Sequence, residues 1–433
     1  MGYRLAFLFF TLCYQIGSVP VFGQQATKQD TLLELVRRID ILTEEIEKLR
    51  LREVAEPKYE SRYGMGPAAS KIYQSVRSGV SLSGYGEVVY QNLREQRDNG
   101  ERSSKSNQID FLRHVTYLGF RFNDRFLFNS EIEFEHAKTG EGSEGEVAVE
   151  FGYIEATLHP AVNFRAGMVL VPVGIINESH EPSTFHGVLR PETERRIIPT
   201  TWRANGFGFL GAFNNGIGFK LYVIEGLYAA KFSSNGIRGG RQNGSKALAE
   251  DLAITGRLNY NGINGLDIGG SFYVGNSGQD LVDDAGKKIG ARLSLFSLHL
   301  LFAQKGLELR GFYAQSNIAD VTRLNRTLGL TGSNAIGGRQ RGYYLTVAYD
   351  VLPRIFPRAT HYLAPFIQIE KFNTQDSVPT GFAQDPARNR TFLTVGLTYK
   401  PHPNIAFKFD YINRDNNANT EVDQFNLAVN YLF

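Results

Sequence analysis

Between Ile175 and Asn205 the chain carries four arginines, Arg190, Arg195, Arg196 and Arg203, and four glutamates, Glu178, Glu181, Glu192 and Glu194. A guanidinium presents a planar fork of donors that fits a carboxylate or a phosphate with two parallel hydrogen bonds. Set against carboxylates across a narrow gap, such groups create a field that orders dipolar solutes and water. The same residues could instead pair with one another and brace a long loop. Equal numbers of each sign mean that the segment by itself is not an anion trap. The residues alone leave both readings open.

Other chemistry has less to stand on. The eight histidines (His114, His136, His159, His180, His186, His299, His361 and His402) are scattered, and His180 and His186 lack the i,i+4 spacing of a metal-binding helix. Neither a nucleophile elbow nor a phosphate-binding glycine loop occurs in the sequence. Glu131, Glu133 and Glu135 are spaced i,i+2, which is what one wet face of a strand produces. No catalytic residue, metal site or cofactor is expected. The formal charge of +3, from 47 basic and 44 acidic side chains, also argues against a nucleic-acid partner.

The elements that must carry these residues are strands. In Phe126–His136, Phe126, Phe128, Ile132 and Phe134 share one face, while Asn129, Glu131, Glu133 and Glu135 share the other. Ile405–Arg414 sets Ile405, Phe407, Phe409 and Tyr411 against Lys408, Asp410 and Arg414. Sixteen such segments begin near residues 80, 109, 125, 146, 163, 206, 217, 251, 266, 288, 306, 342, 361, 391, 405 and 423. Their connections alternate between short turns and long polar links. Pro353–Thr360 is the one longer link where a short turn belongs. A soluble sandwich has no reason to segregate its long loops; an outer-membrane barrel does. Phe425, Leu427, Val429, Tyr431 and Phe433 alternate up to the last residue, as a closing strand would. The expected fold is therefore a 16-stranded antiparallel transmembrane β-barrel over residues 80–433. Alternation points Arg165, Lys220, Arg257, Arg292, Arg310 and Lys408 into its lumen, together with Glu131, Glu133, Glu135, Asp267, Glu308, Glu370 and Asp410.

Residues 1–23 read as a secretory signal, with Arg4 before an apolar stretch, Pro20 breaking it, and Val21 and Gly23 at the cleavage positions. Cys13 lies inside that stretch, so the mature chain would have no thiol for catalysis, disulfides or metal binding. Within 24–56, Leu32, Leu35, Ile39, Leu42, Ile46 and Leu49 step by three and four, a heptad stripe flanked by charge. This predicts a short self-associating coiled coil rather than a helix packed on its own protein. Pro57, Gly64, Gly66 and Pro67 then mark residues 57–79 as a non-helical linker.

Three stretches resemble the phosphate-selective porin O and P superfamily, particularly its DcaP-like trimeric members with an N-terminal coiled coil. They are Gly64–Tyr73 running on to Gly84-Tyr85-Gly86-Glu87, Val171–Phe185, and Arg190–Glu194 continuing to Ile198–Trp202. The resemblance implies a homotrimer in the bacterial outer membrane, in contact with its lipids and lipopolysaccharide, with the coiled coil in the periplasm. It also implies that the long link after the fifth strand folds inward, making the four arginines and four glutamates a pore constriction. Its better-known members pass small anionic solutes, phosphate or small carboxylates. Their arginine ladder and lysine cluster have no residue-by-residue match here, so the solute stays open. A general non-selective porin, an envelope tether and an outer-membrane lipid hydrolase remain as alternatives.

Overall fold

The computed structural model describes residues 34–43, 60–74 and 78–433. The leader 1–23, the heptad positions Leu32, Ile46 and Leu49, and most of the segment 24–56 lie outside the described residues. The chain divides into two units, Met1–Lys58 and Tyr59–Phe433. In the first, residues 34–43 form helix α1, with Leu35, Ile39 and Leu42 all more than half exposed. An i,i+4 pair between Arg38 and Glu34 supports this helix.

The second unit is a closed barrel of sixteen antiparallel strands in which each pairs with its sequence neighbours and β16 pairs with β1. The strands are β1 (Gly79–Leu93), β2 (Gln108–Arg121), β3 (Phe126–Glu135), β4 (Val147–His159), β5 (Val162–Leu170) and β6 (Arg203–Ala212). They continue as β7 (Ile217–Glu225), β8 (Leu252–Ile263), β9 (Leu266–Gly275), β10 (Leu293–Gln304) and β11 (Leu307–Ile318). β12 (Arg339–Tyr349), β13 (Tyr362–Ser377), β14 (Asn389–His402), β15 (Ile405–Asn416) and β16 (Gln424–Leu432) complete it. One rim carries the long links and the other the short turns. Helix α2 (Glu192–Ile197) lies in the link after β5, α3 (Val321–Thr327) in the link after β11, and α4 (Leu352–Ile355) in the longer turn between β12 and β13.

Period-two patterning explains why the sheet closes with an apolar outside. Phe207, Leu258 and Leu298 stand out from the wall at 52%, 61% and 57% exposure, whereas their neighbours Arg257 and Ser297 are buried inside. A continuous apolar outer face of this kind needs a non-aqueous surround. Among the described residues no helix is long and apolar enough to cross a membrane.

Closure at the β1–β16 seam runs to the last residue. The Gly84 N–H donates to the Phe433 carbonyl at 2.9 Å and the Phe433 N–H returns to Gly84 at 3.0 Å. The Phe433 ring stacks between His114 and Tyr431, at 5.9 and 6.4 Å between centroids.

Two expected positions shift. Arg292 is exposed and precedes β10, which starts at Leu293 rather than near 288. Leu293, Leu295 and Ser297 take the inward parity, so Arg292 does not line the lumen. Arg203 is the first residue of β6 and belongs to the wall, because the link after β5 spans 171–202 rather than 175–205.

Candidate functional site

The link 171–202 folds into the barrel and fastens to the wall almost all the way round. Gly174 N–H reaches the hydroxyls of Ser271 and Ser297 on β9 and β10. Glu178 pairs with Lys220 of β7 and, at 3.5 Å, with Arg257 of β8. The turn Pro182–Gly187 aims its carbonyls at wall cations. Lys408 takes those of Pro182, Phe185 and Gly187, Lys400 takes Ser183, and Arg310 takes Thr184. Asp410 accepts the Val188 N–H at 2.6 Å, and Glu370 accepts that of Thr193 at 2.8 Å. Glu194 is fully buried; one oxygen accepts the N–H groups of both Ile175 and Ile176, and the other the Tyr344 hydroxyl. Burial raises its carboxyl above the usual range, partly offset by these three donors.

Most of the stretch expected as a non-helical linker, residues 57–79, also lies inside the barrel. Residues 60–74 dip into the lumen, ending in a single 3-10 turn, Lys71–Gln74. Met65, Ala68, Ala69 and Ile72 are 3% exposed or less. This strap and the loop hold each other. The Gly66 N–H donates to the Glu178 carbonyl, and Glu181 accepts the N–H groups of Ala68 and Ala69 at 3.0 and 2.8 Å. At Gly66 a Cβ would sit 2.3 Å from the Glu181 carboxyl, so only glycine allows the approach. Burial pushes Glu181 up to about 7, against the two backbone donors that favour its ionised form. Strap and wall also join where Tyr73 meets Tyr153 and Glu155, with Arg165 donating to both Tyr73 and Glu155.

On the β1–β4 side the wall is acidic. Arg113 pairs with Glu87 at 2.7 Å and Glu133 at 3.3 Å, Arg203 pairs with Glu150 at 2.8 Å, and His180 lies 3.0 Å from Glu131. Glu135, at the end of β3, is half-buried on the same face.

The cations gather elsewhere. Glu192 of α2 is shared by two guanidiniums, Arg195 at 2.7 Å and Arg196 at 2.9 Å. Burial disfavours its charge, but the two arginines prevail and hold it down at about 2. Arg238 and Arg241, from the link after β7, donate to the carbonyls of Thr200 and Thr201. Arg190 donates to Thr201 and to the His180 carbonyl. Among the described residues, no carboxylate forms an ion pair with Arg190, Arg238, Arg241 or Arg414. Burial and the nearby Arg241, Arg195, Arg190 and Arg196 pull Arg238 below its ordinary value, yet a guanidinium keeps its charge. Arg196, Arg238 and Arg241 line a cavity of about 390 Å³.

Towards the short turns, two cavities of about 470 and 270 Å³ share Asn261, Asp267, Leu301 and Arg310. The smaller is bounded by strap residues Tyr63 and Gly64, by Ile175 and Ser179 of the loop, and by Lys220 and Arg257.

The eight residues expected at a constriction thus separate by role. Glu178, Glu181 and Glu194 fasten loop to wall, strap or itself. Arg190 braces the loop, and Arg203 pairs with the wall. Arg195 and Arg196 face open space with Glu192 between them. Sequence reasoning placed no weight on Arg238 and Arg241, which belong to a different link and meet the others only in the fold. The strap left one trace in the sequence, the i, i+3, i+4, i+7 spacing of Met65, Ala68, Ala69 and Ile72.

No family model matches the chain. A protein of Aquifex aeolicus strain VF5, described as uncharacterized, is 37% identical over 395 residues, covering 89% of this chain and 87% of its own length. Among solved structures, OmpF of Salmonella typhi in complex with daunomycin has a TM-score of 0.53 at 13% identity, covering 82% of this chain and 98% of that one. The outer-membrane channel DcaP of Acinetobacter baumannii scores 0.51 at 12% identity over 83% and 98%. The anion-selective porin of Comamonas acidovorans scores 0.50 at 12% identity over 82% and 100%. These likenesses carry the fold, a sixteen-stranded barrel of the porin type, and the sequence identity carries the kinship: the chain belongs to the same family as the Aquifex aeolicus protein.

Proposed function

We propose that the protein is a porin of the bacterial outer membrane, a passive channel for small anionic solutes such as phosphate or small carboxylates. In this reading it is a non-enzymatic DcaP-like member of the phosphate-selective porin O and P superfamily. Residues 1–23 are removed on export, residues 24–56 form a periplasmic coiled coil, and the barrel sits as a homotrimer among outer-membrane lipids and lipopolysaccharide. The long links face outward and the short turns face the periplasm.

The observation that carries the anionic preference is the group of arginines on the long-link side of the loop. Arg190, Arg195, Arg196, Arg238 and Arg241 have a single carboxylate, Glu192, in ion-pair contact with them among the described residues. An anion leaving bulk water loses hydration, and guanidinium forks replace part of it. Glu178, Glu181, Glu194, Glu370 and Asp410 are engaged in fastening loop, strap and wall. Beyond the loop, Arg257, Lys220 and Arg310 reach the short-turn cavities, where Asp267 and Glu308 stand beside them and make the lining mixed.

Planar-bilayer recording of the refolded trimer across a salt gradient tests this reading. A reversal potential of the sign set by anion permeation supports it, and one of the opposite sign refutes it.

A further inference from the structure

The acidic side of the lumen holds a constellation that anion passage does not use. Glu131 of β3 and Glu150 of β4 face His180 of the inward loop. The three offer ligand atoms that all lie within 4.8 Å of one another, and each residue is 2% exposed or less. His180 Nε2 is 3.0 Å from Glu131 Oε1 and 3.4 Å from Glu150 Oε2. Its Nδ1–H donates to the Asn177 carbonyl at 3.1 Å, which turns Nε2 towards the carboxylates.

Glu150 is there because of a β-bulge. Glu131 pairs with Phe151 and the next residue, Ile132, with Val149, leaving Glu150 as the extra residue. Glu150 and Phe151 consequently both face inward, although they are adjacent in sequence. The second oxygens complete the picture. Glu131 Oε2 is buried and accepts no hydrogen bond among the described residues, and Glu150 Oε2, equally buried, has His180 Nε2 beside it at 3.4 Å without a hydrogen bond. Leaving such oxygens unpartnered is costly.

We propose that Glu131, Glu150 and His180 bind one divalent first-row transition cation of the zinc class, which clasps the inward loop to β3 and β4. One imidazole nitrogen with two carboxylates is a donor set for a borderline ion, whereas calcium takes six or more oxygens. Tetrahedral ligands at about 2.0–2.1 Å from zinc stand roughly 3.4 Å apart, close to the two distances made by His180 Nε2. Supporting partners are present: the Asn177 carbonyl on Nδ1, and Arg203 Nη1 on Glu150 Oε1 at 2.8 Å. Charge agrees. Glu87, Glu131, Glu133 and Glu150 supply four carboxylates, against Arg113 and Arg203 in ion pairs and Arg190 on the His180 carbonyl. A cation offsets the excess of acid; protons on His180 and on one carboxylate are the rival.

The test uses full-length protein refolded in parallel with chelator and with Zn²⁺, then freed of loose metal and analysed for content. The expected result is one zinc per chain and a higher unfolding temperature than the chelated form. Co²⁺ in place of zinc should give a visible spectrum of mixed nitrogen and oxygen ligation. Glu150→Gln and His180→Gln, checked for folding by heat modifiability, should each weaken zinc binding by more than the roughly 100-fold that loss of an outer-shell partner costs. Wild-type protein that retains no zinc overturns the proposal in favour of protons. Zinc retained equally by both folded variants overturns it by placing the metal elsewhere. Should either variant fail to fold, the wild-type stoichiometry and cobalt spectrum decide.

Discussion

Replacing Glu192 with glutamine separates a selective arginine group from a bracing one. The carboxylate sits 2.7 and 2.9 Å from Arg195 and Arg196, and the Arg195 side chain is 48% exposed. The amide keeps the size of the carboxylate and can still accept hydrogen bonds, but the exchange adds one net positive charge at the mouth. For an anion about 7–8 Å away, one charge is worth roughly 0.5 kcal/mol at the dielectric of water and about 2 kcal/mol at an effective value near 20. Screening at 0.1 M salt, with a Debye length of about 10 Å, reduces this by about half, leaving ~0.3–1 kcal/mol. The same charge repels a cation by as much, so the anion/cation permeability ratio should rise roughly three- to 25-fold, since 1.4 kcal/mol is a factor of ten. At 1 M salt the Debye length is about 3 Å and most of the change should vanish. Reversal potentials at both salt concentrations measure it, and a single-channel trace checks that the pore is intact. Because Glu192 is held at about 2, the wild-type ratio should stay level with respect to this group down to about pH 3 and approach that of the variant only near pH 2. An unchanged ratio at low salt, or a shift that persists undiminished at 1 M, would refute the electrostatic account and leave α2 as a brace.

Four further outcomes are expected. Ile72→Ala should weaken the seating of the strap by about 2–5 kcal/mol, because a nearly fully buried side chain loses its contacts; higher or noisier single-channel conductance is the readout, and an unaltered trace argues against an occluding strap. Glu181 has an ordinary value of 4.5 and is raised to about 7, so between those values the folded protein holds a proton that the unfolded chain has released. Strap attachment should accordingly weaken as pH rises through that window, and Glu181→Gln should remove the dependence when conductance is followed against pH. Deleting Phe433 removes the last backbone pair of the β1–β16 seam, and replacing it with Asp removes the ring stacked on His114 and Tyr431; lower outer-membrane levels with periplasmic degradation should follow in both cases. Deleting residues 24–55 should leave inserted barrels but lower the temperature at which trimers dissociate on native gels; equal melting would mean that the heptads do not clamp the oligomer.

The barrel was legible because lipid outside and water inside impose a period of two on every strand. Sixteen segments and the alternation of short and long connections could be read directly, including the longer turn now occupied by α4. Parity failed where a start was misplaced: beginning β10 near 288 turned Arg292 inward, whereas Leu293 sets the register. It also gave no hint of Glu150, since a bulge is the local suspension of that period. The strap was hidden for a different reason. Residues 60–74 contain glycine and proline at the density of a surface linker, and their burial depends on partners more than a hundred residues away, such as Glu181. The arginine group was only partly visible. Arg195 and Arg196 adjoin in sequence, but Arg238 joins them through the Thr200 carbonyl, a tertiary contact without a local signature.

The seam between β1 and β16 also sets an order of events in assembly. Fifteen of the strand pairings join sequence neighbours and can form as the chain emerges. The sixteenth is different, and at that seam Asn430 donates to Glu87 across 343 residues. Until that contact forms, the molecule is a curled sheet with two long open edges, each a row of unpaired amides able to add a strand from another chain. Non-local pairing of this separation is the slow kind. Closure of the barrel therefore requires an edge-to-edge pairing of β1 with β16, and a chain that stalls one strand short keeps open edges able to add a strand.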